Sequence, residues 1–348
     1  MAQGRSLLAG SLLIVLLTAA PAVTVAFVGG AHLEAPLSPD QLSARLNDAT
    51  VTIRSANGPP TAVAVDQSTR LSALAELQQG WLLATTTLDE NGNQRARLIL
   101  RRSAREFDLP ALPTSGEKIQ ERPTPLVVDG QLTGVSWLDG SSFRSLTVRV
   151  ADWDGMRWSD ARIVSLPSHG SQMALSATVL DDGSPLLVWS QFDGRDDEIV
   201  WSQRRGGQWT APARIEPDNQ VPDITPTLLA TRDGGALVAW LQFVDGDYRL
   251  LTSHFDGGSW TKPQRLPGLG AGDPMLLDRD GPVVSYHSVR PSAWWVARLD
   301  ASTGRATAYA RQARVLREEP SVAFTANTLT FTWSDLGVRS SVRWEPAR

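Results

Sequence analysis

The chain contains no cysteine. That excludes disulfides, thiolate zinc sites, a cysteine nucleophile and a lipid-bearing N-terminal cysteine. Histidines number only four and are widely scattered, so a zinc centre built from histidines is not expected. Only three tyrosines occur, Tyr248, Tyr286 and Tyr309. Basic runs are missing and the formal net charge is −4 at pH 7, so nucleic acid is not expected as a partner. A nucleophile elbow, a phosphate loop, the kinase motif set and a dinucleotide fingerprint are all lacking.

What is abundant is tryptophan, 13 residues in a chain of 348, and most of it is periodic. GGQWTAPARI, starting at Gly206, returns as GGSWTKPQRL from Gly257, and GMRWSDARI at Gly155 is a shorter copy. The anchors Trp158, Trp209 and Trp260 are spaced 51 residues apart, and another step back reaches Phe107. A second column ends at Trp137, Trp189, Trp240, Tyr286 and Trp333, in short apolar runs such as PLLVW and ALVAW. These runs are rich in β-branched and aromatic residues and neighbour Asp-Gly turns, which reads as strands. Their near-continuous apolarity suggests cover on both faces.

The clearest unit has four strand-like pieces: 225–231, 236–243, 248–255 and 259–266. A four-stranded unit of this length, repeated, is the signature of a β-propeller blade. Blades are expected near 70–112, 120–166, 172–216, 224–267, 273–313 and 319–345, six in all, within a domain spanning 49–348. The fold class is therefore all-β, a six-bladed propeller of four-stranded antiparallel blades. The last blade stops after three strands, and an open ring would leave unpaired edges. The segment 49–56, ATVTIRSA, is expected to supply its fourth strand and close the ring.

From Ser6 to His32 no acidic or basic residue interrupts SLLAGSLLIVLLTAAPAVTVAFVGGAH. Leu7 to Ala20 reads as a signal h-region, with small residues near Ala22 and Ala26 for cleavage. The run is also long enough to span a bilayer once, so residues 1–30 are a signal peptide or a membrane-anchor helix. Either exports the rest, to periplasm or exterior, with membrane contact only through this segment. Residues 31–48 read as a linker with a short helix beginning at Ser38-Pro39-Asp40-Gln41, an N-cap, N1 proline and N3 glutamine.

Ser202…Gly206-x-x-Trp209 and Ser253…Gly257-x-x-Trp260 resemble degenerate Asp-boxes (BNR repeats), whose pattern is Ser/Thr-x-Asp-x-Gly-x-x-Trp. That repeat marks six-bladed sialidase-like propellers and related exported bacterial proteins. Arg204 and Phe255 stand where the motif has its aspartate. The resemblance implies a structural turn between third and fourth strands, away from any active site. It would also imply a tyrosine nucleophile paired with glutamate, an aspartate acid/base and three arginines. The family's early Phe/Tyr-Arg-Ile-Pro stretch is missing, and no catalytic residue is carried over.

Propeller sites form at the central mouth, from the starts of innermost strands and the loops between second and third strands. Arg122, Asp273 and Glu319, each before a proline, fall at the former; His287 and Arg290 lie just past a second strand, beside Tyr286. Arg122, Asp273, Tyr286, His287, Arg290 and Glu319 are the candidate ligand-binding set. Phe143, Phe192 and Phe243 stand at loop tips that could line a sugar or peptide groove. No cofactor or metal is assigned; calcium at Asp193, Asp196, Asp197 and Asp245 is the one ion the acidic loops leave open, without the EF-hand order. The leading expectation is an exported, non-catalytic binding module for glycans or envelope components. An exo-sialidase-type hydrolase and a protein-interaction scaffold are the alternatives.

Overall fold

A computed structural model describes residues 13–17, 41–47, 49–54, 60–102, 105–113, 116–164, 169–278, 281–313, 321–324, 328–333, 338–343 and 345–346. All regular structure in them is strand. An N-terminal sheet holds β1 (Leu13–Leu17), β2 (Gln41–Asn47), β3 (Thr50–Arg54) and β4 (Thr61–Ala64) in that order. Antiparallel meanders follow. The first is β5 (Arg70–Leu77), β6 (Gly80–Leu88), β7 (Gln94–Arg102) and β8 (Arg105–Asp108). The second is β9 (Ile119–Val128), β10 (Gln131–Gly140), β11 (Thr147–Asp152) and β12 (Arg162–Ile163). The third runs through β13 (Gln172–Val179), β14 (Pro185–Phe192), β15 (Asp197–Arg205), β16 (Gln208–Trp209) and β17 (Ala213–Arg214). The fourth comprises β18 (Asp223–Ala230), β19 (Ala236–Val244), β20 (Asp247–Phe255) and β21 (Gln264–Arg265). The fifth is β22 (Gly272–Asp278), β23 (Pro282–Ser288), β24 (Ala293–Leu299) and β25 (Ala306–Ala313). Last come β26 (Ser321–Phe324), β27 (Thr328–Trp333), β28 (Val338–Arg343) and the short β29 (Glu345–Pro346), which pairs with β25.

First strands of consecutive meanders lie side by side: β5 by β9, β9 by β13, β13 by β18 and β18 by β22. Serial four-stranded meanders with inner strands adjacent are the plan of a β-propeller. The core is divided accordingly. Each of these hydrophobic clusters draws on two consecutive meanders, the first also taking Val51, Ile53 and Val63 from the N-terminal sheet, and each takes one residue of the second-strand aromatic column. Trp137, Trp189, Trp240 and Tyr286 are all fully buried there. The 51-residue period thus records one packing problem solved repeatedly: a large side chain must plug the gap between neighbouring sheets.

The column has a counterpart on the first strands. Register shifts set Arg122-Pro123 against Trp137, Ala174-Leu175 against Trp189, Thr225-Pro226 against Trp240 and Asp273-Pro274 against Tyr286. Two residues facing one is a β-bulge. Arg122, Ala174 and Thr225 all adopt left-handed backbone there, with φ of 51°, 52° and 51°. Proline suits the second bulge position because no ladder hydrogen bond is asked of its nitrogen.

The outer hairpins match the expected structural turn. Gly206 and Gly207 have φ of 55° and 81°, the left-handed pair that a two-residue hairpin between β15 and β16 requires. Ser202 Oγ donates to the Thr210 carbonyl at 2.8 Å, and Ser253 Oγ to that of Thr261 at 2.7 Å. The serine of the repeat is therefore a clasp on the hairpin's return strand.

Two N-terminal expectations are corrected, the short helix and the closing strand. Residues 41–47, expected as a short helix, form β2: QLSARLN alternates polar and apolar strictly, and that period-2 pattern outweighs the helix-start residues before it. Leu13–Leu17, inside the uncharged N-terminal run, forms β1, since an unbroken apolar run suits a strand as well as a helix. Within the expected closing segment 49–56, Thr50–Arg54 is a strand as expected and residues 55–56 lie outside the described residues, but β3 pairs with β2 and β4, not with the last meander. Its alternation buries Val51 and Ile53. Among the described residues no helix is long and apolar enough to cross a membrane.

Candidate functional site at the rim

Antiparallel meanders bring the starts of first strands, the hairpins between second and third strands, and the connections from fourth to next first strands to one edge. Two adjacent junctions on this edge carry charge of opposite sign, and the register makes them equivalent. Gln191 faces Glu198 and Val200 faces Arg214 in the third meander; Gln242 faces Arg249 and Leu251 faces Arg265 in the fourth. Glu198 and Arg249 thus occupy one position of the repeat with inverted charge.

The junction of third and fourth meanders is acidic. Asn219 Nδ2 donates to Glu216 Oε1 at 3.1 Å and to Asp223 Oδ2 at 2.8 Å. Gln242 Nε2 donates to the same two residues, at 3.1 and 3.2 Å, and Trp240 Nε1 donates to Asp223 Oδ1 at 2.9 Å. Arg214 reaches Asp193 Oδ2 at 2.6 Å, Asp218 Oδ2 at 3.5 Å and Glu198 Oε1 at 3.9 Å. Burial, which penalises the charged form, pushes Glu198 up to about 8, Glu216 to about 7 and Asp223 to about 6. Backbone hydrogen bonds, that from Arg195 foremost, hold the Asp193 carboxyl below its ordinary range. One oxygen each from Asp193, Glu198 and Asp218 lies within 4.8 Å of the others, a spacing able to hold a cation. Exposed Phe243 packs against Tyr248 with centroids 5.1 Å apart and rings tilted by 56°, and its amide donates to the Pro222 carbonyl at the border of this cluster.

The junction of fourth and fifth meanders is basic. Arg249, Arg265, Arg290 and Arg311 line a cleft of about 500 Å³ whose apolar wall includes Leu269 and Trp295. Arg249 Nη2 binds Asp245 at 2.9 Å and Arg290 pairs with Asp247. Arg265 and Arg311 have no carboxylate partner among the described residues. The Arg311 guanidinium stands 5.6 Å from the Trp295 ring centre. Arg249 Nε is buried with no acceptor. The cleft is therefore short of anionic oxygen.

Of the sequence-derived set, Arg290 lines this basic cleft. His287 sits edge-on to Trp294, with ring centres 5.6 Å apart. Tyr286 presents nothing to solvent: fully buried, it donates from its hydroxyl to the Pro267 carbonyl at 2.9 Å, and burial raises its pKa well above the ordinary tyrosine value. Arg122 is half-buried at its bulge, its pKa lowered by burial and partly restored by Glu121. Asp273 occupies the equivalent bulge of β22, where only its backbone is described. Glu319 lies outside the described residues. Phe143 is exposed and Phe192 half-buried. Sequence reasoning passed over Glu198, Glu216, Asp223, Arg249, Arg265 and Arg311. The signal for the first and fourth was the shared Gln-Phe at 191–192 and 242–243, from which both lie seven residues beyond the glutamine.

No protein-family model matches the chain, and no curated protein matches it. Solved structures do. An ulvan lyase from a new family of polysaccharide lyases is 8% identical with a TM-score of 0.50, over 95% of this chain and 91% of its own. A fungal lectin from Aleuria aurantia, described as a six-bladed β-propeller with a novel fucose recognition mode, is 10% identical with a TM-score of 0.48, over 88% of this chain and 96% of its own. A thermostable family-43 glycoside hydrolase is 10% identical with a TM-score of 0.43, over 69% of this chain and 94% of its own. The likeness to the lyase is one of fold alone.

Proposed function

We propose that the protein is an exported, sialidase-like propeller that binds glycans without cleaving them, and that the arginine cleft takes an acidic sugar. One observation carries the reading: four arginines converge on a cleft with an indole wall, and two of them lack a carboxylate partner among the described residues. Guanidinium forks match the carboxylate of a uronate or the oxygens of a sulfate ester, and an aromatic face packs against the apolar side of a sugar ring. The uncharged N-terminal run supports export; the meanders from β5 to β28 match the six expected blades, with the N-terminal sheet β1–β4 a further antiparallel four-stranded unit beside them. Structural neighbours that include a lectin and a polysaccharide lyase are consistent with a glycan-related role.

The test is calorimetric titration of the purified protein with uronate-containing, sulfated and neutral oligosaccharides. Acidic oligosaccharides are expected to bind, with affinity falling as salt rises. Arg265→Gln and Arg311→Gln should each weaken binding about tenfold or more, the worth of one charge-assisted hydrogen bond. Binding that favours neutral sugars, or that both variants leave intact, would overturn the assignment.

A hydrolytic reading is favoured by a different observation, the raised pKa values of Glu198 and Glu216 at the neighbouring junction. Tyr286, sealed in the core, and Tyr309, raised by burial, are disfavoured as a sialidase-type nucleophile, which leaves Tyr248, half-buried beside Phe243 at the rim. Released sugar in the same titrations, scored by mass spectrometry and lost in Glu216→Gln, would replace binding with catalysis.

A further inference from the structure

We propose that Asp193, Glu198 and Asp218 form a binding site for a divalent cation of calcium's size and hardness. The site lies at the acidic junction and does not depend on the glycan reading. Three carboxylate oxygens within 4.8 Å of one another can converge on one ion with ligand oxygens about 2.3–2.6 Å away, and calcium's flexible all-oxygen coordination accepts such a set more readily than magnesium's strict octahedron.

Clustered carboxylates alone would be an ordinary surface feature. The second observation is buried oxygen left without a donor. Glu198 is 1% exposed and its Oε1 has no hydrogen-bond partner; Asp196 is 8% exposed and its Oδ1 has none either. Such groups carry the full desolvation cost without return. Glu198 Oε1 points at the space shared with Asp193 and Asp218, because Arg214 lies 3.9 Å from it and touches both of the others.

Arg214 is an incomplete counter-ion. It bonds closely to Asp193, sits 3.5 Å from Asp218 and leaves Glu198 beyond hydrogen-bond reach. Asp193, Asp196, Asp197, Glu198 and Asp218 together outnumber the two local arginines, Arg195 and Arg214. The Arg214 side chain is 35% exposed, so it can swing to solvent as the ion enters. The loop is pre-shaped: the amides of Arg195 and Asp196 donate to Asp193 Oδ1 at 2.9 and 3.4 Å, leaving Oδ2 facing the cluster.

The experiment is calorimetric titration of chelator-treated protein with CaCl2, paired with thermal melts in CaCl2, MgCl2 or EDTA. One calcium per chain and a calcium-specific rise in Tm are expected. Asp218→Asn, at an exposed position that folding tolerates, should weaken binding about tenfold or more, as should Glu198→Gln. Glu198→Gln should also raise Tm in EDTA, because it replaces a buried carboxyl whose Oε1 has no hydrogen-bond partner with a neutral amide. Arg214→Gln should bind calcium more tightly than the unaltered chain. No calcium heat and no Tm response at millimolar CaCl2 would overturn the proposal, and so would binding that survives Asp218→Asn and Glu198→Gln unchanged.

Discussion

A Trp240→Ala variant is expected to lose about 4–5 kcal/mol of folding stability, the range for deleting a fully buried large aromatic. For a domain of this size that corresponds to a Tm lower by about 10–15 °C. Trp240 is 0% exposed and fills the gap between third and fourth meanders, among Leu186, Val188, Leu228 and Val238. Its Nε1 is also a donor to the buried Asp223 carboxylate, at 2.9 Å. Truncation therefore opens a cavity and removes one of the hydrogen bonds that let Asp223 sit 1% exposed. Trp240→Phe separates the two effects, keeping most of the packing while deleting the donor, and should cost about 1–3 kcal/mol. Trp260→Ala, at the half-buried outer hairpin, should cost less than Trp240→Ala. Chemical denaturation followed by tryptophan fluorescence checks all three. If Trp240→Ala and Trp260→Ala are equally mild, the second-strand column is not the plug between sheets.

That column was legible in the sequence because it repeats. Trp137, Trp189, Trp240 and Tyr286 each end an apolar run near Asp-Gly turns, and one recurring environment selects one recurring residue type. The X-Pro dipeptides at Arg122 and Asp273 were legible as special positions before inner strands, and they are the bulges opposite the column. What could not be read was partner identity. Thr50–Arg54 announces itself as a strand by alternation, yet alternation says nothing about which strand it meets, and it meets β2 and β4. Ser38-Pro39-Asp40-Gln41 carries helix-start chemistry, but those are local preferences worth about 1 kcal/mol, and strand pairing overrides them. The rim charges were hidden for a different reason. Glu198 and Arg249 look like unrelated charged residues until the register places both opposite the glutamine of a Gln-Phe pair. Asp223 is one of many aspartates before a strand, and only burial under Trp240, Asn219 and Gln242 sets it apart.

Stability is expected to fall between pH 5 and pH 8.5, the reverse of ordinary acid denaturation. Glu198, Glu216 and Asp223 have folded-state pKa values of about 8, about 7 and about 6, above their unfolded values of 4.5, 4.5 and 3.8. In this window the native state holds protons that the unfolded chain has released, so raising the pH favours unfolding. The contribution is fully present below the unfolded values and is lost as pH climbs through the folded ones. Full shifts do not add for neighbouring groups that titrate together, and solvent screens the more exposed among them. A combined loss of about 3–5 kcal/mol is expected, or a Tm about 10 °C lower at pH 8.5 than at pH 5. Below pH 4 the trend reverses, because Asp66, Asp89, Asp154, Asp193, Asp256 and Asp300 are held low by hydrogen bonds and lose them on protonation. The measurement is a series of thermal melts from pH 4 to pH 9 in EDTA, at constant ionic strength. Glu198→Gln should flatten the upper part of the curve, between about pH 6 and pH 8.5, because it removes the group that titrates last. Asp223→Asn should act on the lower part, and it leaves the Trp240 Nε1 donor an amide oxygen to bond. A Tm that stays level or rises from pH 5 to pH 8.5 would show that these carboxylates are ionised in the folded protein, with solvent reaching them at the rim.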